Sequence, residues 1–425
     1  MRDGGRLSAA IETLGEIEAR HAPAHLALRS WGERARYAGA KDRAFVSGLV
    51  LDALRRRRSA AWRMGAETDR ARALGVLRFA WDWPPERIAA ATAEPHGPGQ
   101  LTEAERARLA EPVPLDEAPA PIAGDYPDWL DAPMERVFGA GRMAEGRALA
   151  ERAPIDVRAN RLKTDLAHVL KALAPFLPEP LDFPADAIRI AAPAASERAA
   201  PVEASPAFER GWFEVQDAGS QIAAAAAGEV AGAQVLDFCA GAGGKTLALA
   251  SAMGNTGQLY AYDADARRLT ETARRARRAG IRNLQVRSPI DPAALAGLAG
   301  RMDLVFVDAP CTGSGVWRRH PDAKWRLTPA QLGRRIVEQD AILAAAAGFV
   351  KPGGRLVYAT CSLLAEENED RAAAFLAARG DFAREPIALE AAAPWRTPEG
   401  VLRLTPARSA TDGFFVAALR RRAPA

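Results

Sequence analysis

The stretch Val235–Ala250, VLDFCAGAGGKTLALA, reads as a short apolar strand, a glycine-rich turn and the start of a helix. Glycines let backbone approach a ligand closely, and a helix start presents N–H groups that no intrahelical carbonyl takes. Two familiar loops fit it poorly. A phosphate-binding Walker loop needs glycine where Cys239 stands, and a dinucleotide fingerprint needs it where Thr246 stands. An acidic residue closing the strand, Asp237, followed by Gly241 and Gly243, fits a loop for S-adenosylmethionine better. A carboxylate there repels a polyphosphate but suits a cationic, amino-acid-bearing cofactor.

Outward from this unit, from Phe213 on, short apolar runs alternate with helical stretches: GQLYAYD, NLQVR, DLVFVDAP and GRLVYAT follow in turn. That alternation predicts an α/β fold with a doubly wound parallel sheet, and the late run GFFVAAL predicts an added antiparallel strand. Ligands in such sheets bind beyond the carboxyl ends of the strands. The second strand closes on Asp263, where a carboxylate can accept hydrogen bonds from both hydroxyls of a ribose. The competing reading of Asp263 is the N-cap of the helix opening in DADARRL.

Only three cysteines occur, Cys239, Cys311 and Cys361, with no CxxC pair, so neither a disulfide framework nor a zinc site is expected. His21 and His25 stand four apart with Pro23 between them and no acidic or thiol partner, so no metal site is expected there either. Cys311 lies in VDAPCTGSGVW and Cys361 in YATCSLLAEENE, each just after an apolar run. With Asp308 they should converge on the ligand-binding edge of the sheet. One chemistry that needs such a set is methylation of cytosine at C5. That carbon is a poor nucleophile until a thiolate adds at C6, and a base must afterwards remove the C5 proton so that the thiol can leave. An acidic residue can hold the pyrimidine edge and stabilise the activated ring. Two thiols at one site make sense if one attacks and the other helps release the product.

VQDAGSQ (Val215–Gln221), DFCAGAGGKT, VDAPCTGSGVWRRHPDAKW, KPGGRLVYATCSLLAEENE and DGFF (Asp412–Phe415), in that order, resemble the RsmB/Sun-type (NOL/NOP/Sun) RNA cytosine-C5 methyltransferase family over about residues 125–425. The resemblance implies a Rossmann-like class I methyltransferase domain using S-adenosyl-L-methionine. It makes Cys361 the nucleophile, Cys311 the residue that assists resolution of the adduct, and Asp308 a contact to the base near the cofactor. It assigns the methyl donor to Asp237, Cys239, Ala240, Gly241, Ala242, Gly243, Gly244, Lys245, Asp263 and Asp308. RAPIDVRANRLK (Arg152–Lys163) resembles the family's RNA-binding module, so Arg158, Asn160 and Lys163, with Lys324 of PDAKW, are expected to face RNA. One departure stands out: where the family carries an acidic residue for the adenine amino group, this chain has Ser288, Pro289 and Ile290, with Asp291 slightly late.

The 425 residues are too many for one compact core. Residues 1–111 read as helical and are similar to the NusB-like domain of bacterial rRNA-modifying members. Residues 112–124 are proline-rich and read as a linker, 125–206 as a small α+β RNA-binding module, and 207–425 as the methyltransferase domain. The Arg55–Arg58 run would sit at a helix end or on RNA. Composition is that of a soluble globular chain, 48% hydrophobic and 26% charged, and no apolar run reaches membrane-spanning length. The opening residues carry no apolar signal-peptide core, so a cytoplasmic, membrane-free protein is expected; a monomer is expected as well. Net charge is only +4, yet the cations are six lysines against 51 arginines, a bias that suits phosphate and base stacking. The expected partner is structured RNA, small-subunit (16S) rRNA first and tRNA as the alternative. A non-catalytic RNA-binding assembly factor is the reading from another class, disfavoured because a scaffold has no need of two exposed thiols. An NTPase fails on the missing Walker glycine.

Overall fold

The computed structural model describes residues 1–423. It divides into two compact units. The first comprises Met1–Ala153, Ala192–Ala199 and Trp317–Leu327; the second comprises Pro154–Ala191, Ala200–Val316 and Thr328–Ala425.

The first unit is helical, as its apolar stripes predict, with helices that include Asp3–Arg20, Ala24–Arg34, Ala40–Arg55, Arg57–Met64 and Asp69–Phe79. Leu7, Leu14, Phe45, Val46, Leu49, Leu74, Leu77 and Ile88 form its core. Full burial of each such side chain is worth roughly 1.5–3 kcal/mol. The proline-rich stretch is no free linker. Val113 N–H donates to the Arg63 carbonyl at 3.1 Å, the Trp62 indole donates to the Pro114 carbonyl at 3.0 Å, and Ala120–Ala123 makes a helical turn. Asp125 then accepts from the backbone N–H groups of Arg58 and Ser59, both at 2.9 Å. Residues 112–153, read from sequence as linker and module opening, therefore belong to this unit.

The second unit holds two sheets. Four strands, β1 (Ile155–Ala159), β2 (Glu179–Pro180), β3 (Ala187–Ile190) and β4 (Phe213–Val215), form a small antiparallel sheet in the order β2-β3-β1-β4. Val157, Ala159, Ile188 and Phe213 make its core.

Eight strands form the large sheet: β5 (Gln234–Asp237), β6 (Gln258–Tyr262), β7 (Leu284–Arg287), β8 (Met302–Asp308), β9 (Val350–Thr360), β10 (Phe382–Glu385), β11 (Leu402–Leu404) and β12 (Phe414–Arg421). Their order is β10-β12-β9-β8-β5-β6-β7, with β11 paired to β12. Strands β5 to β9 pair in parallel, and β12 runs antiparallel to β9. On central β8, Leu304 and Phe306 face one core while Val305 and Val307 face the other. A parallel strand must be covered on both sides, which is why its sequence is an unbroken apolar run rather than an alternating one. The order reverses at β5, between β8 and β6, the place where such sheets open a crevice at their carboxyl ends.

Among the described residues, no helix is long and apolar enough to cross a membrane.

Candidate active site

A cavity of about 400 Å³ lies beyond the carboxyl ends of β5, β6, β8 and β9. Asp237 is the last residue of β5, and the turn after it hands over to the helix Gly244–Ala252. Gly241 and Gly243 hold φ of 54° and 88°, the left-handed region that glycine enters at no steric cost. At Gly244 the position of a Cβ is open, its nearest neighbour being Gln216 Nε2 at 4.0 Å, so the backbone leaves space where a side chain would stand. Gly244 lines the cavity with Cys239, Ala240, Gly241 and Ala242. Gln216 supports the turn from outside, donating to the Gly244 carbonyl at 3.3 Å.

Three carboxylates surround this turn. Asp237 is fully buried; its Oδ2 accepts from Thr246 Oγ1 at 2.6 Å, and Oδ1 has no protein partner. Burial pushes its carboxyl up to about 7, against the hydrogen bond from Thr246. Asp263, just beyond β6, accepts from Gly241 N–H through Oδ2 and from Asp265 N–H through Oδ1, both at 2.8 Å. Helix capping falls instead to Asp265, which accepts from Arg267 N–H. Asp263 is thus fixed at the cavity wall, where Arg268 also pairs with Oδ2 at 3.7 Å and each oxygen keeps a lone pair free of hydrogen bonds. Asp308, the last residue of β8, is a third exposed and accepts from Lys245 Nζ at 2.7 Å. A lysine in the first turn of a helix opposes the helix dipole; Asp308 offsets that cost.

The two sulfurs meet because β8 and β9 are adjacent and parallel, with Asp308 in register with Ala359. The loops that leave them emerge side by side, and Gly315 N–H donates to the Cys361 carbonyl at 2.9 Å. Cys311 Sγ and Cys361 Sγ stand 3.4 Å apart as free thiols, half-buried on the cavity wall. The hydrogen bond with Cys361, together with burial, pushes the Cys311 thiol well above its ordinary value. Burial does the same to Cys239, reinforced by the Asp237 charge.

Among the expected donor-site residues, Cys239 to Ala242, Gly244, Lys245, Asp263 and Asp308 line one cavity together with Cys311 and Cys361. Asp237 and Gly243 are not among the residues lining it. The residues expected to face RNA divide differently. Lys163 is exposed and donates to the Arg210 carbonyl at 3.1 Å. Arg158, 7% exposed, donates to Gln216 Oε1, and Asn160 Nδ2 donates to the carbonyls of Gly211 and Ala279, both at 2.8 Å. Lys324, expected to face RNA, is instead buried in the first unit, 1% exposed, and donates to the Arg55 carbonyl at 3.2 Å. Burial lowers its pKa to about 8, partly offset by the Asp125 charge. Asp291 accepts from Ala293 N–H and does not line the cavity.

Sequence reasoning missed Ser220, Arg268 and Arg335 on the cavity wall. Ser220 falls inside VQDAGSQ, which carried the only available signal; nothing local marks the two arginines.

A parallel sheet with a reversed last strand, a glycine turn at the switch point and acids closing β5 and β6 define a Rossmann-like methyltransferase. Residues 227–420 match the 16S rRNA methyltransferase RsmB/F family. The chain is 31% identical over 344 residues to the "Probable ribosomal RNA small subunit methyltransferase B" of Synechocystis sp., covering 76% of this chain and 73% of that one. The crystal structure of PH0851 superposes with a TM-score of 0.73 at 25% identity, covering 99% of both chains. A methyltransferase homolog protein from Pyrococcus horikoshii gives 0.60 at 26% identity, over 71% of this chain and 97% of that one. The chain belongs to the RsmB/F family of rRNA methyltransferases.

Proposed function

We propose that this protein methylates C5 of a cytosine in 16S rRNA through a covalent adduct between Cys361 and C6 of the base. The observation that carries the reading is the pair of free thiols 3.4 Å apart on the wall that also carries the glycine turn. The cofactor is S-adenosyl-L-methionine, which when bound supplies an electrophilic methyl group. The turn from Cys239 to Lys245 and the Asp263 carboxylate are the residues that would hold it. The space left at Gly244 and the remaining lone pairs of Asp263 fit such a ligand.

The chain's own residues then have separate tasks. The Cys361 sulfur adds to C6, and the electron pair released from the C5–C6 bond makes C5 nucleophilic. Asp308, held by Lys245, contacts the base and stabilises the activated ring. After methylation a base delivered by solvent takes the C5 proton, the electron pair of the broken C5–H bond restores the C5–C6 double bond, and the C6–S bond breaks with its pair returning to the Cys361 sulfur. Cys311, at contact distance from Cys361, assists that release. Lys163 is the exposed residue proposed for RNA contact. The target base must be unpaired or flipped out of its stack to reach the thiols.

Cysteine variants test this. Cys361→Ala should abolish methylation and covalent RNA capture. Cys311→Ala should capture RNA and release it poorly. Methylation at an undiminished rate by Cys361→Ala would overturn the assignment.

A further inference from the structure

Glu367 lies six residues after Cys361, fully buried behind the thiols, and it is not among the residues lining the cavity. Its carboxylate is held by four donors. Oε1 accepts from Thr312 N–H at 2.8 Å and Gln339 Nε2 at 3.1 Å; Oε2 accepts from Thr312 Oγ1 and Ser362 Oγ, each at 2.5 Å. Thr312 directly follows Cys311, and Ser362 directly follows Cys361. One carboxylate therefore bridges the residue after each cysteine.

The surrounding hydrogen bonds run in one consistent direction. Leu363 N–H donates to Ser314 Oγ at 2.7 Å, and Leu364 N–H donates to Ser362 Oγ at 3.1 Å. Ser314 Oγ and Ser362 Oγ stand 3.1 Å apart. Ser362 spends its own proton on Glu367, so Ser314 donates to Ser362. Every bond at Glu367 is accepted, as an ionised carboxylate requires. Gln339 extends the bracket by donating also to the Pro310 carbonyl at 2.9 Å, one residue before Cys311.

We propose that Glu367 is a positioning residue for the two-thiol chemistry: by bridging Thr312 and Ser362 it sets the spacing of the Cys311 and Cys361 sulfurs. The proposal rests on the reading of those cysteines given above. Nothing else among the described contacts joins both loops through a single charged group. Charge-assisted hydrogen bonds are the strong ones, and buried ones hold geometry best. A fixed negative charge behind Cys311 also disfavours its thiolate, in keeping with a division of labour between the two sulfurs.

The test compares Glu367→Gln, Glu367→Ala and the milder Thr312→Val with the parent full-length protein. Each is first checked for an unchanged far-ultraviolet spectrum and donor affinity. The geometric readout is the rate at which diamide closes a Cys311–Cys361 disulfide, two thiols losing two protons and two electrons to the azo bond, which becomes a hydrazine. The catalytic readout is kcat and KM on 16S rRNA. Glu367→Ala should slow disulfide closure and lower kcat by about tenfold to hundredfold with KM for RNA little changed, as expected when reacting groups lose alignment. Thr312→Val should show a smaller loss of the same kind, and it carries the test if Glu367→Ala does not fold. Folded variants that close the disulfide at the parental rate and keep kcat would overturn the proposal. If the parent closes the disulfide rapidly but methylates no cytosine, the functional reading fails while the geometric result stands on its own.

Discussion

At the scale of single residues, Asp237 has the sharpest consequence. Its carboxyl titrates near 7 in the folded chain because burial disfavours the charge, against an ordinary value of 3.8. Between these values the folded chain keeps a proton that the unfolded chain has released, so stability is greatest below the window and falls as pH rises through it. Asp237→Asn should flatten that fall. The check is the urea midpoint of both proteins at about pH 5 and about pH 8, on either side of the shifted group; identical pH dependence would contradict the account. The residues legible from sequence, the glycine turn, Asp263, Asp308, Cys311 and Cys361, share a property: each lies within a few positions of a strand end, so local pattern fixes its place. Arg268 and Arg335 reach the same cavity from helices whose sequence carries no trace of it. Asp263 shows how far a local signal goes, since two aspartates compete for one helix cap and only the hydrogen bonds decide between them.

At the scale of elements, the short connections do the organising. Asn160 follows β1 and spends both amide hydrogens on carbonyls at Gly211 and Ala279, tying the small sheet to the end of the helix Ala266–Ala279. Asn160→Ala should therefore cost about 1–3 kcal/mol, the penalty for buried polar groups left without partners. Urea unfolding measures it, and the salt dependence of RNA binding should stay as in the parent. An unchanged midpoint with a shallower salt slope would return Asn160 to the RNA surface. Central strand β8 was legible because a parallel strand covered on both faces is a plain apolar run, as in Leu304–Val307, whereas the short strands β10 and β11, FARE and LRL, carry no such run and were not read. The boundary near residue 125 was not legible either. Proline-rich composition marks poor helix and strand, but it says nothing of backbone groups such as Val113 N–H finding partners on a neighbouring helix.

At the scale of the whole molecule, arginines that composition offers to RNA are in part engaged by the protein itself. Arg55 donates to Asp52 and to the Arg318 carbonyl, Arg56 pairs with Glu151, Arg57 with Glu18, and Arg58 with Asp128. The run that composition offered to RNA is thus engaged in the first unit. Lys324 belongs to the same pattern. Its pKa of about 8 lies below the ordinary 10.5, so between these values the unfolded chain holds a proton that the folded chain has released. Stability contributed by this group rises with pH across that window. Lys324→Met should lack the rise, and thermal melting from about pH 7.5 to about pH 9.5 checks it across the span that the shift defines; parallel curves for both proteins would contradict the burial. The two thiols are put to the test by denaturing electrophoresis of Cys311→Ala protein recovered from cells, with sequencing of any attached RNA. The account predicts a slower-migrating adduct that carries a 16S rRNA cytosine and disappears in the Cys311→Ala, Cys361→Ala double variant. An adduct that persists without Cys361, or none from protein that binds both donor and RNA, would contradict it.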